Sequence, residues 1–203
     1  MSYAVILFYI IARPKTGFQN IMRNSMHMSG LAVTVFALYC TISVLVVILP
    51  NMSNDDVVNI EYMLKSALST ITSSLALIVF VYWMGGRIGG KASWTGVFQV
   101  LAFCFIPIMI GGIASAAINS LYYGWSDTLD SDTLVSDGYI RAYLQLQNIF
   151  SLAFIAWGSA LFIIAIMLVE KFHVVRAACT YAAAFAVFYL TGIMINISLA
   201  ILV

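Results

Sequence analysis

From Gly85 to Ile113 the chain reads GGRIGGKASWTGVFQVLAFCFIPIMIGGI. A glycine-rich turn carrying Arg87 and Lys91 leads here into an apolar run that extends to about residue 118. A helix needs roughly 20 apolar residues to cross the hydrocarbon core of a bilayer, and this run supplies them. Trp94 opens the run, and Tyr82 and Trp83 precede the turn, which sets amphipathic rings at headgroup depth on both sides of the cations. The stretch reads as a cationic turn joining two membrane spans.

Four more runs have the same character, at roughly 29–49, 66–84, 146–169 and 177–203. Hydrophobic residues make up 63% of the 203 positions and charged residues 8%, against about a quarter charged in a soluble domain. So few polar groups cannot cover the surface of a soluble fold. The expected fold is an all-α integral membrane bundle of five transmembrane helices over 29–203, preceded by an N-terminal interfacial segment over 1–28. Residues 2–12 are apolar but too short to span. No cationic region precedes them and Arg13-Pro14-Lys15 follows, which argues against a signal peptide and places them in or dipping into the interface. Next, Thr16 is expected to cap a short surface helix over 17–24, with Phe18, Ile21 and Met22 on one face and Arg23 on the other.

Charge then sets orientation. Arg13, Lys15 and Arg23 precede the first span, Arg87 and Lys91 follow the second, and Lys171 and Arg176 separate the fourth from the fifth. The remaining connections are acidic, with Asp55, Asp56 and Glu61 in one and Asp127, Asp130, Asp132 and Asp137 in the other. Lys65 and Arg141 are the only cations on that side. The positive-inside rule puts the basic turns and the N-terminus in the cytoplasm and the C-terminus outside. The expected location is the cell (inner) membrane of a prokaryote. With a net charge of +1 there is no basic field for nucleic acid, and the partners expected are the lipid bilayer, other membrane proteins or further copies of the chain.

Several motifs compete with plainer readings. Gly85 to Ala92 nearly spells a phosphate-binding loop, but Ala92 stands where a serine or threonine must hold magnesium, and no strand precedes it. The glycines, Gly85 and Gly89 among them, are expected to let the backbone turn and the helices approach closely. In the second span Ser66, Ser69, Thr70, Ser73 and Ser74 mostly share one face. Packing against protein is the simpler role for that face, with Leu75, Ile78 and Val79 turned toward lipid; a polar pathway is the sharper one. Pro107 should kink the third span, and Gly111 or Gly112 should lie against another helix. The three cysteines fall in separate apolar runs and read as packing residues, and His27 and His173 lack the carboxylates or thiols of a metal site. No Asp, Glu, Lys or Arg occupies the centre of a span, where pumps and ion-coupled transporters place such a group. No enzyme, cofactor or metal is expected.

The chain resembles the Yip family, five-span membrane domains first associated with Rab-type GTPases and membrane traffic. Arg13-Pro14 followed by Phe18 carries part of the resemblance, as does the stretch quoted above, with its glycine turn, Ser93 and the aromatic-x-Pro pattern Phe105-Ile106-Pro107; Trp157 matches the family's aromatic position in the fourth span. Eukaryotic members carry a long hydrophilic N-terminal region without a counterpart here, so GTPase or coat binding through it is not carried over. The compact form resembles a bacterial or archaeal member. The resemblance implies a five-span fold. The expected function is a non-enzymatic membrane scaffold or interaction partner, the alternatives being a small transporter or channel for neutral or lipidic cargo and an accessory subunit of a larger membrane complex.

Overall fold

The computed structural model describes residues 3–48, 60–126 and 137–201. Most of the two acidic connections, including Asp55, Asp56, Asp127, Asp130 and Asp132, lies outside the described residues, as does Val203. The described residues form helices and turns, without strands: α1 (Tyr3–Ala12), α2 (Pro14–Arg23), α3 (Ser25–Ile48), α4 (Ile60–Arg87), α5 (Trp94–Cys104), α6 (Ile106–Ser126), α7 (Asp137–Val169) and α8 (Val174–Ile201). Among them are five spans long and apolar enough to cross a membrane: His27–Val46, Leu64–Arg87, Trp94–Ile118, Gln145–Val169 and Val174–Ser198. Each overlaps a run read from the sequence.

α2 begins at Pro14, earlier than expected, and Thr16 lies inside it rather than capping it. Proline accounts for the difference, because its fixed φ and missing N–H suit the first helical position. α1 packs directly on α2. A Cβ added at Gly17 would lie 2.7 Å from the backbone nitrogen of Ile10, so the two helices touch main chain to main chain. Phe18 and Ile21 are buried while Arg13, Lys15 and Arg23 are exposed, and α2 rests against α7 and α5.

The third span is broken into two helices at Phe105. Phe105 N–H reaches Ala102 O at 3.4 Å, and Met109 N–H reaches Phe105 O at 2.9 Å as the second helix starts. Pro107 sits in the first turn of α6, where helical N–H groups have no intrahelical acceptor and its missing donor costs little. The break is buried at the middle of an aromatic chain. The Phe105 ring stacks on Tyr39 of α3 (centroids 4.3 Å apart) and meets Phe162 of α7 edge-on at 5.2 Å, and Phe162 stacks on Tyr181 of α8 at 5.5 Å.

α4 touches α3, α5 and α8. Its buried stripe is Ser73, Ser74, Leu77, Ile78 and Val81, while Leu75 and Val79 are exposed. Ile78 is therefore a correction: it is fully buried instead of facing lipid. It stands four residues after Ser74, so the hydroxyl face simply continues one helical turn further as an apolar one.

Candidate functional site

The most unusual chemistry lies at the end of the bundle where the basic turns meet. α4 does not stop at Trp83 or Met84 but runs on through Gly85 and Gly86 to Arg87. It closes with Gly89 in the left-handed region (φ 91°) and Gly90 N–H donating to Gly85 O at 2.7 Å. This six-to-one bond after a left-handed glycine is the Schellman way of ending a helix. α7 ends in the same manner. Lys171 adopts φ 57°, and Phe172 N–H donates to Met167 O at 3.0 Å.

Glu170 joins the two ends. Its side chain turns under the glycine turn and is 2% exposed. Ala92 N–H donates to Oε2 at 3.3 Å, while Oε1 is buried without a hydrogen-bond partner. A Cβ added at Gly85 would lie 2.6 Å from the Glu170 Cδ, and one at Gly90 would collide with Oε2 and sit 2.8 Å from Gly85 O. Both glycines are thus the walls of a cradle that fits the carboxylate only because they lack side chains. Burial raises the Glu170 pKa above its ordinary value, opposed by the bond from Ala92. A carboxylate at a helix C-terminus also opposes the helix dipole, so the helix itself gives no reason for it to be there. Arg176 Nη1 donates to Ile88 O at 3.3 Å, and Ser93 Oγ accepts from Gly96 N–H at 3.2 Å to start α5. The resemblance to a phosphate-binding loop is resolved physically. The acid group this turn accommodates is the carboxyl of Glu170 from the same chain.

The residues singled out from the sequence fall in three places. Gly85 belongs to the cradle, and Gly89 supplies the left-handed turn with open space around it. Ser73 is buried and Ser66 and Thr70 are half-buried on the inner face of α4. That face meets α8: a Cβ on Gly192 would lie 3.3 Å from Ser73 Oγ, and Asn196 Nδ2 donates to Ser69 Oγ at 3.5 Å. Ser74 Oγ contacts the Tyr39 hydroxyl at 3.5 Å. Gly111 is pressed on α7, where a Cβ would come 2.8 Å from Phe154 Cβ, and Gly112 faces Val46 at 3.5 Å. Pro107 is buried beside the aromatic chain. An open cleft of about 600 Å³ lies between α4 and α8, lined by Leu68, Thr72, Leu190, Thr191 and Met194 among others. Ser69 and Ser73 are not among its lining residues.

Glu170 is the residue that sequence reasoning missed. The signal was present as arithmetic: seven of the eight acids belong to the two acidic connections, which leaves one at the basic end.

The sequence pattern of the Yip1 domain matches residues 8–195. The chain belongs to the Yip1 domain family. The match covers the first four spans, the glycine turn, Glu170 and all but the last three residues of the fifth span, and its N-terminal limit falls inside α1. No curated protein and no solved structure matches the chain. For this Yip1 domain the family and the five spans together establish an integral membrane protein.

Proposed function

We propose that this Yip1 protein is a non-enzymatic membrane scaffold, holding other membrane proteins or further copies of itself through its helix faces and its two short basic turns. The observation that carries the reading is the closure of the polar face of α4. Ser69 and Ser73 meet Gly192 and Asn196 of α8 across a close helix contact, so these hydroxyls serve packing instead of bordering a wide passage. The charge alternation supports an orientation with the basic turns and N-terminus in the cytoplasm and the C-terminus outside. The role as an accessory subunit of a larger complex is the same reading with a fixed partner.

The cleft between α4 and α8 favours one second reading, a carrier of lipidic cargo, because it is apolar and bears the hydroxyls of Thr72, Thr191 and Ser198 on its walls. Two experiments separate the readings. Affinity purification in mild detergent, quantified against an unrelated five-span protein, is expected to enrich a defined membrane partner or a stable oligomer. Reconstituted liposomes are expected to show no protein-dependent transfer of labelled lipid between leaflets. Lipid transfer that is lost on filling the cleft with Thr191→Trp would overturn the scaffold.

A further inference from the structure

One end of the bundle presents an uncompensated positive surface. Arg87, Lys91, Lys171 and Arg176 are all exposed there, as are Arg13, Lys15 and Arg23 at and within α2. The acid at this end, Glu170, is sealed beneath the glycine turn and leaves the surface charge unneutralised. Among the described residues none of these cations forms an ion pair with it.

Hydrogen bonds bring four of the cations to a single corner. Arg176 Nη1 bonds Ile88 O, one residue from Arg87, while Glu170 bonds Ala92 N–H, one residue from Lys91, and adjoins Lys171. The corner lies at the ends of spans: Arg87 closes one, and Lys171 and Arg176 bracket the start of another. Aromatic rings mark the same level. The Arg87 guanidinium lies 5.5 Å from the Trp83 ring and that of Arg176 5.5 Å from Phe172, with Tyr82, Trp83 and Trp94 exposed alongside. Such rings settle at headgroup depth, and these cations therefore meet lipid phosphates before they meet bulk solvent. Lys171 adds a further sign. It is the only non-glycine residue at positive φ among the described residues, at a helix-ending position where glycine carries no steric cost. Strain is kept where a cationic side chain is displayed.

We propose that this corner is a binding surface for acidic phospholipid headgroups, with Arg87, Lys91, Lys171 and Arg176 contacting the phosphate groups. Lipid is the occupant favoured over an acidic protein segment because the cations ring the ends of spans instead of projecting on a soluble element. The proposal stands apart from the scaffold reading, since purified protein and defined lipid suffice to test it.

The full chain, with Trp125→Phe and Trp157→Phe so that Trp83 and Trp94 alone report, is reconstituted in phosphatidylcholine vesicles. Brominated phosphatidylglycerol or brominated phosphatidylcholine is then titrated in as a quencher. The acidic lipid is expected to quench at a several-fold lower mole fraction, and the preference is expected to shrink in high salt. It should fall about fivefold for each cation removed, down to parity. Lys91→Gln with Lys171→Asn is the main variant, because asparagine tolerates the left-handed conformation and neither lysine holds the turn. Arg87→Gln provides a second variant should the first fold poorly, as judged by helicity. Equal quenching by the two lipids in the unsubstituted cation background overturns the proposal, and so does a preference that survives both variants. An acidic peptide that displaces the brominated acidic lipid at equal charge concentration overturns it in favour of a protein partner.

Discussion

Replacing Gly85 with alanine puts a methyl group where the Glu170 carboxylate now sits, 2.6 Å from its Cδ and closer still to Oε1. Either the carboxylate leaves its cradle, stripping Ala92 N–H of its acceptor, or the turn shifts. Inserting a methylene-sized group into a packed site costs about 1–3 kcal/mol. Against this, alanine is favoured over glycine within a helix by roughly 0.5–1 kcal/mol, and Gly85 lies in the last turn of α4. Gly85→Ala alone should therefore destabilise by about 1–2 kcal/mol. All three atoms that the new methyl meets belong to Glu170. In a Glu170→Ala background the clash vanishes and the helix preference remains, so the same substitution should stabilise by up to about 1 kcal/mol. The coupling between the two positions is on the order of 2 kcal/mol. For a chain of this size about 1 kcal/mol moves the Tm by ~2–4 °C, so thermal unfolding in detergent resolves the change of sign. Equal effects of Gly85→Ala in both backgrounds would refute the cradle.

Glu170 also predicts a pH dependence. Its pKa is raised in the fold, so its favourable contribution is complete below the ordinary carboxylate value and is lost as pH rises through the raised one. The Tm of the wild type relative to Glu170→Gln should accordingly be highest at about pH 4 and decline toward pH 8; a flat difference would contradict the burial of the acid. On α4, Ile78→Ala should cost about 2–5 kcal/mol and the exposed neighbour Val79→Ala much less, read as Tm in detergent. At the break in the third span, Phe105→Ala should cost about 3–5 kcal/mol because it empties the centre of the aromatic chain. Pro107→Ala should change stability by less than about 1 kcal/mol, because its position needs no N–H.

Span number and the sharing of one end by the basic turns were legible because both are properties of single segments. A run of apolar residues must cross, and seven cations in alternate connections must gather on one side. Ile78 shows where such reading stops. The hydroxyls of α4 were identified as a face, yet which apolar residues continue it depends on how many neighbours the helix has, and α4 has three. The break in the third span was foreseen from Pro107 but centres on Phe105, where packing against Tyr39 and Phe162 places it. Thr16 is no cap because the helix already starts at Pro14, with Arg13 at the N-cap position and no side-chain capping bond. Glu170 was hidden for a different reason. Its partners, Gly85, Gly90 and Ala92, stand about eighty residues away, and nothing local marks a glutamate at the end of an apolar run as buried.

The turn at 88–93 and the corner at 170–173 share one end of the membrane domain, which the proposed orientation turns toward the cytoplasm. Impermeant thiol labelling of intact cells tests it, with Lys91→Cys, Lys171→Cys and Asp130→Cys each introduced singly after Cys40, Cys104 and Cys179 are replaced. Lys91→Cys and Lys171→Cys should both stay unlabelled until the cells are opened, whereas Asp130→Cys should label at once. Labelling of Lys91→Cys and Lys171→Cys from opposite sides would contradict the shared end and with it the cradle, and labelling of both from outside would invert the orientation.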